Sequence, residues 1–264
     1  MPRRPEAASW VSRRLRSRKQ FYGAVRMGIL LASLLEVLVR FIPIYLASRG
    51  RVPTARRAAW LHASCARIAR RLALAPSVTN QAGDGASLTV SNHLTYLDIL
   101  VYGAARPFLF VAKSEVRQWP LLGTLASLGG TIFVDRRRSL QVADASREIE
   151  QALRAGIPVL LFPEGTSSDG RAVLPFRSPL FDPAIRAGAP VTAAAVRYQA
   201  VDTTEDQVTY WGNMVFLPHL FRTLCVHGLT ARIGFESPCR FPERKSAARE
   251  AWRQVHLLRR ANEL

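Results

Sequence analysis

The chain has 264 residues, enough for one large domain or one domain with an appendage, and its 48% apolar content is that of a globular protein with a proper core. Lys and Arg number 37 against 19 Asp and Glu, a formal charge of +18, so the surface seeks anions: nucleic acid, anionic lipid, or phosphorylated or acidic substrates. Cys65, Cys225 and Cys239 show no CxxC pairing and no regular spacing, and read as reduced thiols in a reducing compartment, with no disulfide framework and no zinc site.

Residues 1–20 carry Arg3, Arg4, Arg13, Arg14, Arg16, Arg18 and Lys19 against one acid, Glu6. An apolar stretch follows from Phe21 to Ala47, interrupted by Arg26, Glu36 and Arg40. Its longest charge-free run, Met27–Leu35, is shorter than the ~20 apolar residues of a spanning helix. Met27–Leu46 reaches that length only with Glu36 and Arg40 inside it and Pro43 kinking its end. Glu36 and Arg40 stand at i, i+4, the order that favours a helical ion pair. The internal charges and the weak Ala-Ser ending argue against a cleaved signal peptide. Residues 1–53 therefore read as a basic, apolar membrane-anchoring segment, an embedded or interfacial helix or helical hairpin with Arg on anionic headgroups. A buried helix of a soluble domain is the alternative.

Pro53 marks a boundary, and 54–264 are expected to form the folded domain. Thr54–Leu74 has an Arg- and Ala-rich helical pattern with Trp60, Leu61, Ile68 and Leu72 available to one face. Ala75–Ser87 is turn-like, and its Gly83-Asp84-Gly85 is not a dinucleotide fingerprint. β-like runs follow at Leu88–Val90, Phe108–Val111, Thr131–Val134, Pro158–Phe162, Val191–Val196, Val208–Trp211 and Ala231–Phe235. Helical patterns fill Leu97–Ala104, Leu121–Leu128, Ser139–Ala155, Phe216–Leu224 and Arg244–Arg260. This alternation predicts an α/β fold, a mixed and largely parallel sheet flanked by helices, with reactive residues on the loops that leave the strand ends.

One such loop is Ser91-Asn92-His93-Leu94-Thr95-Tyr96-Leu97-Asp98. An imidazole can accept and return a proton near neutrality, and a carboxylate beside it holds the tautomer and stabilises the imidazolium. Positions i and i+5 lie about 140° apart on a helix, so the two can meet only with His93 on the preceding turn and Asp98 in the first turns. Asn92 reads as a turn or N-cap residue. Three further stretches stand at strand ends: Gly130-Thr131-Ile132-Phe133-Val134-Asp135-Arg136, Phe162-Pro163-Glu164-Gly165-Thr166, and Pro190-Val191.

Taken in order, N-H-x4-D, G-x-x-F-x-x-R, F-P-E-G-T and a proline block resemble the four motifs of the lysophosphatidate acyltransferase family of glycerolipid acyltransferases. Each block alone has a structural reading; all four in order, across Leu88 to Val196, make a specific signal. The resemblance implies an O-acyltransferase that moves a fatty acyl group from acyl-CoA or acyl-acyl-carrier protein to a lysolipid hydroxyl, foremost 1-acylglycerol-3-phosphate giving phosphatidate. It implies His93 as general base with Asp98 as its orienting partner. Arg136, Glu164, Gly165 and Thr166 are implied in substrate binding, and Asn92, Gly130, Phe133, Pro163 and Pro190 in shaping the site. The Arg136 fork suits phosphate or carboxylate, and backbone N–H groups at Gly165 and Thr166 are expected to point into the site. Neither a metal nor an organic cofactor is required. The expected place is the cytoplasmic face of the cell inner membrane, through a monotopic or single-pass anchor.

The sequence departs from the family where an Arg often follows F-P-E-G-T: Ser167 and Ser168 stand there, with Arg171 and Arg177 further on. That opens the alternative of another lysolipid acceptor, such as a lyso-ornithine lipid. A lipid hydrolase is disfavoured by the lack of a G-x-S-x-G elbow. A basic membrane-binding module without activity is the reading from a different class; no nucleic-acid motif is present.

Overall fold

In the computed structural model, β1 (Ser77–Thr79), β2 (Leu88–Ser91), β3 (Leu109–Lys113), β4 (Ile132–Val134), β5 (Val159–Leu161), β6 (Val191–Gln199) and β7 (Thr230–Phe235) form one sheet. Their order is β1-β7-β6-β2-β5-β3-β4. The structure describes residues 6–80, 83, 85–135 and 138–261, without the side chains of 6–16 and 139. Arg3, Arg4, Arg136 and Arg137 lie outside the described residues, as do the side chains of Arg13, Arg14 and Arg16.

The sheet is mixed and largely parallel, as the alternating pattern predicts. β6, β2, β5, β3 and β4 run parallel, while β7 is antiparallel to β6 and carries β1 on its outer edge. The central strand β2 is buried throughout, with Leu88 and Val90 facing one layer of helices and Ser91 facing the other. On the first side pack α5 (Ser139–Arg154), α6 (Asp182–Ala187) and α9 (Arg244–Ala261). On the second lie α1 (Glu6–Ala47), α2 (Thr54–Arg71), α3 (Leu97–Ala105) and α8 (Phe216–Leu224), with α4 (Leu122–Leu128) at the margin.

The expected apolar segment is one continuous helix that runs through Pro43 to Ala47. Its inner side, Leu34, Val37 and Phe41, joins the same core as Trp60, Leu61 and Ile68 of α2. Burying each such side chain contributes about 2 kcal/mol. The Glu36–Arg40 pair forms at 2.6 Å, and Glu36 also binds Arg71 of α2 at 2.5 Å. Arg26 is buried, its guanidinium donating to the carbonyls of Val226 (3.1 Å) and Leu72. It thus satisfies an orphan acceptor at the end of α2 and a carbonyl just beyond α8. α2 and α3 cross closely: a Cβ on Gly103 would stand 2.7 Å from Cys65 Sγ.

Three expectations change. Val208–Trp211 is not a strand: Glu205–Val208 is a short helix, α7, and the Thr209 and Tyr210 N–H groups go to Glu205 O and Leu94 O, so neither is left for a ladder. The turn-like Ala75–Ser87 contains β1, an exposed three-residue edge strand with too little apolar pattern to announce itself. Asp182–Ala187 is a helix the periodicity does not reveal, one turn and a half begun by Pro183 near its N-terminus.

Candidate active site

β2 ends at Ser91, but its neighbour β6 continues to Gln199. Asn92 fills the step with its side chain: Nδ2 donates to Val196 O (3.1 Å) and Oδ1 accepts from Val196 N–H (3.0 Å). The amide imitates one more ladder residue while the backbone turns away. Asn92 is therefore not the N-cap of α3, whose capping position is Tyr96. An amide carries both donor and acceptor, which this position requires.

Released there, the chain folds around its own carboxylate. Asp98 lies in the first turn of α3 and is fully buried. Its Oδ2 accepts from His93 Nδ1 (2.7 Å), Leu94 N–H (2.7 Å) and Thr95 N–H (3.1 Å), and its Oδ1 accepts from the Tyr198 hydroxyl (2.8 Å). His93 thus lies on the loop and Asp98 in the helix, the one arrangement compatible with their spacing. With Nδ1 turned to the carboxylate, Nε2 is the nitrogen left for chemistry. The ring is about a quarter exposed and stacks on Phe162, centroids 4.1 Å apart at 14°.

Phe162 leaves β5 beside β2 and begins the Phe162–Ser168 loop. Glu164 is buried and bridges two segments, Oε2 accepting from His93 N–H (3.3 Å) and Oε1 from Leu174 N–H (3.1 Å). Burial, aided by the nearby Asp98 charge and opposed by those two bonds, pushes its carboxyl up to about 8. Gly165 sits at φ +79°, and its N–H closes the turn onto Phe162 O at 3.1 Å. The expectation that this N–H points into the site is thereby corrected; the turn consumes it. Thr166 is exposed, and Pro163 is buried with its carbonyl held by Arg177 N–H.

The two serines that replace the family's Arg hold the loop down. Ser167 Oγ donates to Tyr210 O (2.5 Å), and Ser168 N–H donates to His93 O (3.0 Å). Arg171 is exposed beside Asp169, Nε to Oδ2 3.5 Å.

The other expected residues are spread along the sheet. G-x-x-F-x-x-R spans the whole of β4: Gly130 precedes it at the far edge, at φ +81°, and Asp135 leaves it at the near edge. β4 stands three strand spacings from β2, about 14 Å. Phe133, in mid-strand under the Arg117 guanidinium (5.3 Å), lines a separate cleft of about 250 Å³ with Ser114 and Glu148. Pro190 lies before β6, its carbonyl accepting from Leu88 N–H at 2.9 Å. That is the opposite end of β2 from His93, five residues or about 16 Å away. Pro190 and Gly130 are not brought to the His93 side.

The sequence reading missed Tyr198, Glu205 and Arg259. Arg259, on α9, is buried and clasps Glu205 with both nitrogens (2.9 and 2.8 Å), also donating to Val196 O (3.0 Å) and Gly170 O (2.6 Å). Their signal is a buried ion pair on three separate elements, which no spacing encodes. Among the described residues no cluster of three His, Cys, Asp or Glu side chains could hold a metal ion.

At the carboxyl edge of a largely parallel sheet, a histidine on a strand-end loop is oriented by a buried aspartate in the helix that follows, the arrangement of a general acid–base site. The chain belongs to the Acyltransferase family, which it matches over residues 53–197. It is 34% identical to the 1-acyl-sn-glycerol-3-phosphate acyltransferase of Neisseria meningitidis serogroup B over 148 residues, 56% of this chain and 58% of that protein. It is 35% identical to the lyso-ornithine lipid O-acyltransferase of Pseudomonas aeruginosa over 159 residues, 60% of this chain and 61% of that one. With the Brucella abortus protein of the same name it shares 36% over 187 residues, 65% of this chain and 70% of that one. The chain thus spans about three fifths of the length of the first two relatives. The crystal structure of the 1-acyl-sn-glycerophosphate acyltransferase from Thermotoga maritima has the same fold, with TM-score 0.63 at 17% identity over 91% of this chain and 98% of that one.

Proposed function

We propose that the protein is a lysolipid O-acyltransferase that takes a fatty acyl group from acyl-CoA or acyl-acyl-carrier protein. The observation that carries this reading is the 2.7 Å contact between His93 Nδ1 and a fully buried Asp98, which leaves Nε2 to work as a base. Nε2 takes the proton of the lysolipid hydroxyl as its oxygen attacks the thioester carbonyl. The tetrahedral intermediate expels the thiolate, which recovers that proton from the imidazolium. Asp98 holds the imidazolium meanwhile. Arg136 supplies the cation for the acceptor headgroup, Thr166 contacts the substrate, and Glu164 and Gly165 hold the loop around it.

Two acceptors fit. 1-Acylglycerol-3-phosphate suits Arg136 and the basic surface. A lyso-ornithine lipid is favoured by Ser167 and Ser168, which stand where a phosphate reader would carry a guanidinium. The longer matches to relatives of that name support it.

Residues 1–53 serve as the membrane-anchoring segment and 54–264 as the acyltransferase domain, acting at the cytoplasmic face of the inner membrane. Ser17–Ala47 is long and apolar enough to cross a bilayer. It is nevertheless docked on the domain from Lys19, paired with Asp202 at 2.6 Å, to Phe41 against Trp60. That is ~33 Å of helix, so an in-plane anchor with Leu31, Leu35, Val39 and Ile42 turned to lipid accounts for both facts.

The test is thiol release from acyl-CoA and acyl-acyl-carrier protein against a panel holding both acceptors. A lyso-ornithine lipid is expected to outrun 1-acylglycerol-3-phosphate, and His93→Ala to stay membrane-bound and inactive. Near-normal turnover by that variant sinks the mechanism.

A further inference from the structure

We propose that Tyr198 is a positioning residue for the His93–Asp98 pair: its hydroxyl ties the outer oxygen of Asp98 to the sheet so that the inner oxygen stays aimed at His93 Nδ1. This deepens the acyl-transfer reading and rests on His93 being its base.

The two oxygens of Asp98 are held from different places. Oδ2 is held entirely by residues 93–95, the loop that also carries the imidazole. Apart from its own place on α3, nothing in those contacts holds the carboxylate against the loop. Oδ1 is bonded to Tyr198, which comes from β6, 100 positions further along the chain. That bond alone, among those to the carboxylate, refers it to the rigid sheet.

Tyr198 is itself anchored. Its ring is buried, 1% exposed, and its N–H donates to Glu205 Oε1 at 2.7 Å. Arg259 grips Glu205 from α9, so three elements converge on this strand end. Burial pushes the phenol well above its usual value and the Asp98 charge adds to this, so the hydroxyl remains a donor wherever the enzyme works. Tyr198 lies one residue beyond the matched family segment and outside all four sequence blocks.

The experiment compares the full-length enzyme with Tyr198→Phe and with 3-fluorotyrosine at 198, reading kcat, KM for both substrates and the pH profile of thiol release. Losing one donor leaves more negative charge on Asp98 facing the imidazolium. Tyr198→Phe is expected to lower kcat about tenfold, the scale of one hydrogen bond to a charged group. KM should stay within about twofold, and the acid limb should move up by about half a unit or more. The more acidic fluorophenol donates more strongly, so kcat should return and the limb should move down to or below its original place. If Tyr198→Phe melts normally, with kcat within about twofold and an unmoved limb, the proposal is overturned. If the Phe variant fails to fold, the fluorotyrosine enzyme decides: a lowered limb supports the proposal and an unmoved one overturns it. Turnover retained by His93→Ala would remove the base assignment itself, and the role of Tyr198 with it.

Discussion

Asp98→Asn separates the charge of the buried carboxylate from its shape. The asparagine carbonyl can take the place of Oδ2 and keep the bonds from His93 Nδ1, Leu94 N–H and Thr95 N–H. Its NH2 then faces Tyr198, whose hydroxyl can turn and accept, giving up the acceptor for its own O–H, a cost of about 1–2 kcal/mol. The fold should survive that loss. What disappears is the attraction between carboxylate and imidazolium, about 4 kcal/mol for unit charges ~4 Å apart at an effective dielectric of ~20. That corresponds to about three orders of magnitude in kcat. The assay is steady-state thiol release with a melting curve on the same preparation. The reasoning is refuted if the variant still melts cooperatively above the assay temperature yet keeps more than about a tenth of its kcat, which is under 1.4 kcal/mol.

Two other perturbations probe the frame around the pair. Glu164 has a folded-state value of about 8 against an ordinary 4.5, so the folded chain keeps a proton that the unfolded chain releases in that window. Stability should therefore fall as pH rises from about 4.5 to about 8, by on the order of a few kcal/mol, and level off above. Glu164→Gln should flatten that slope in urea titrations between pH 5 and 9 (about one pH per titration), and an unchanged slope would contradict the assignment. Asn92→Ala removes both bonds to Val196; the Val196 carbonyl keeps Arg259, but its buried N–H loses its partner. The cost should be about 2 kcal/mol, or about 4–8 °C in Tm, with loss of turnover as the His93 loop loosens. A Tm within about a degree would show that the amide is not what joins β2 to β6.

Most of the alternation of strands and helices was legible in the residues alone, because apolar period is local. So was the relation of His93 to Asp98. Five positions across a strand-to-helix turn leave one way for the side chains to meet, and they meet that way. The Glu36–Arg40 pair was legible for the same reason, since helical spacing needs no tertiary partner. The rest depends on how distant segments pack. Asn92 looks like a cap from its neighbours, but β6 outlasts β2 and needs an amide to finish its ladder. Pro190 belongs to the same series of motifs as His93, yet it stands before a strand parallel to β2 and so falls at the opposite edge. Tyr198, Glu205 and Arg259 carry no motif and stand 100 or more positions beyond Asp98 on three elements, but they brace its carboxylate. Which strand end lies beside which is fixed by strand order and direction, and those are set by the packing of whole layers rather than by any local run of residues.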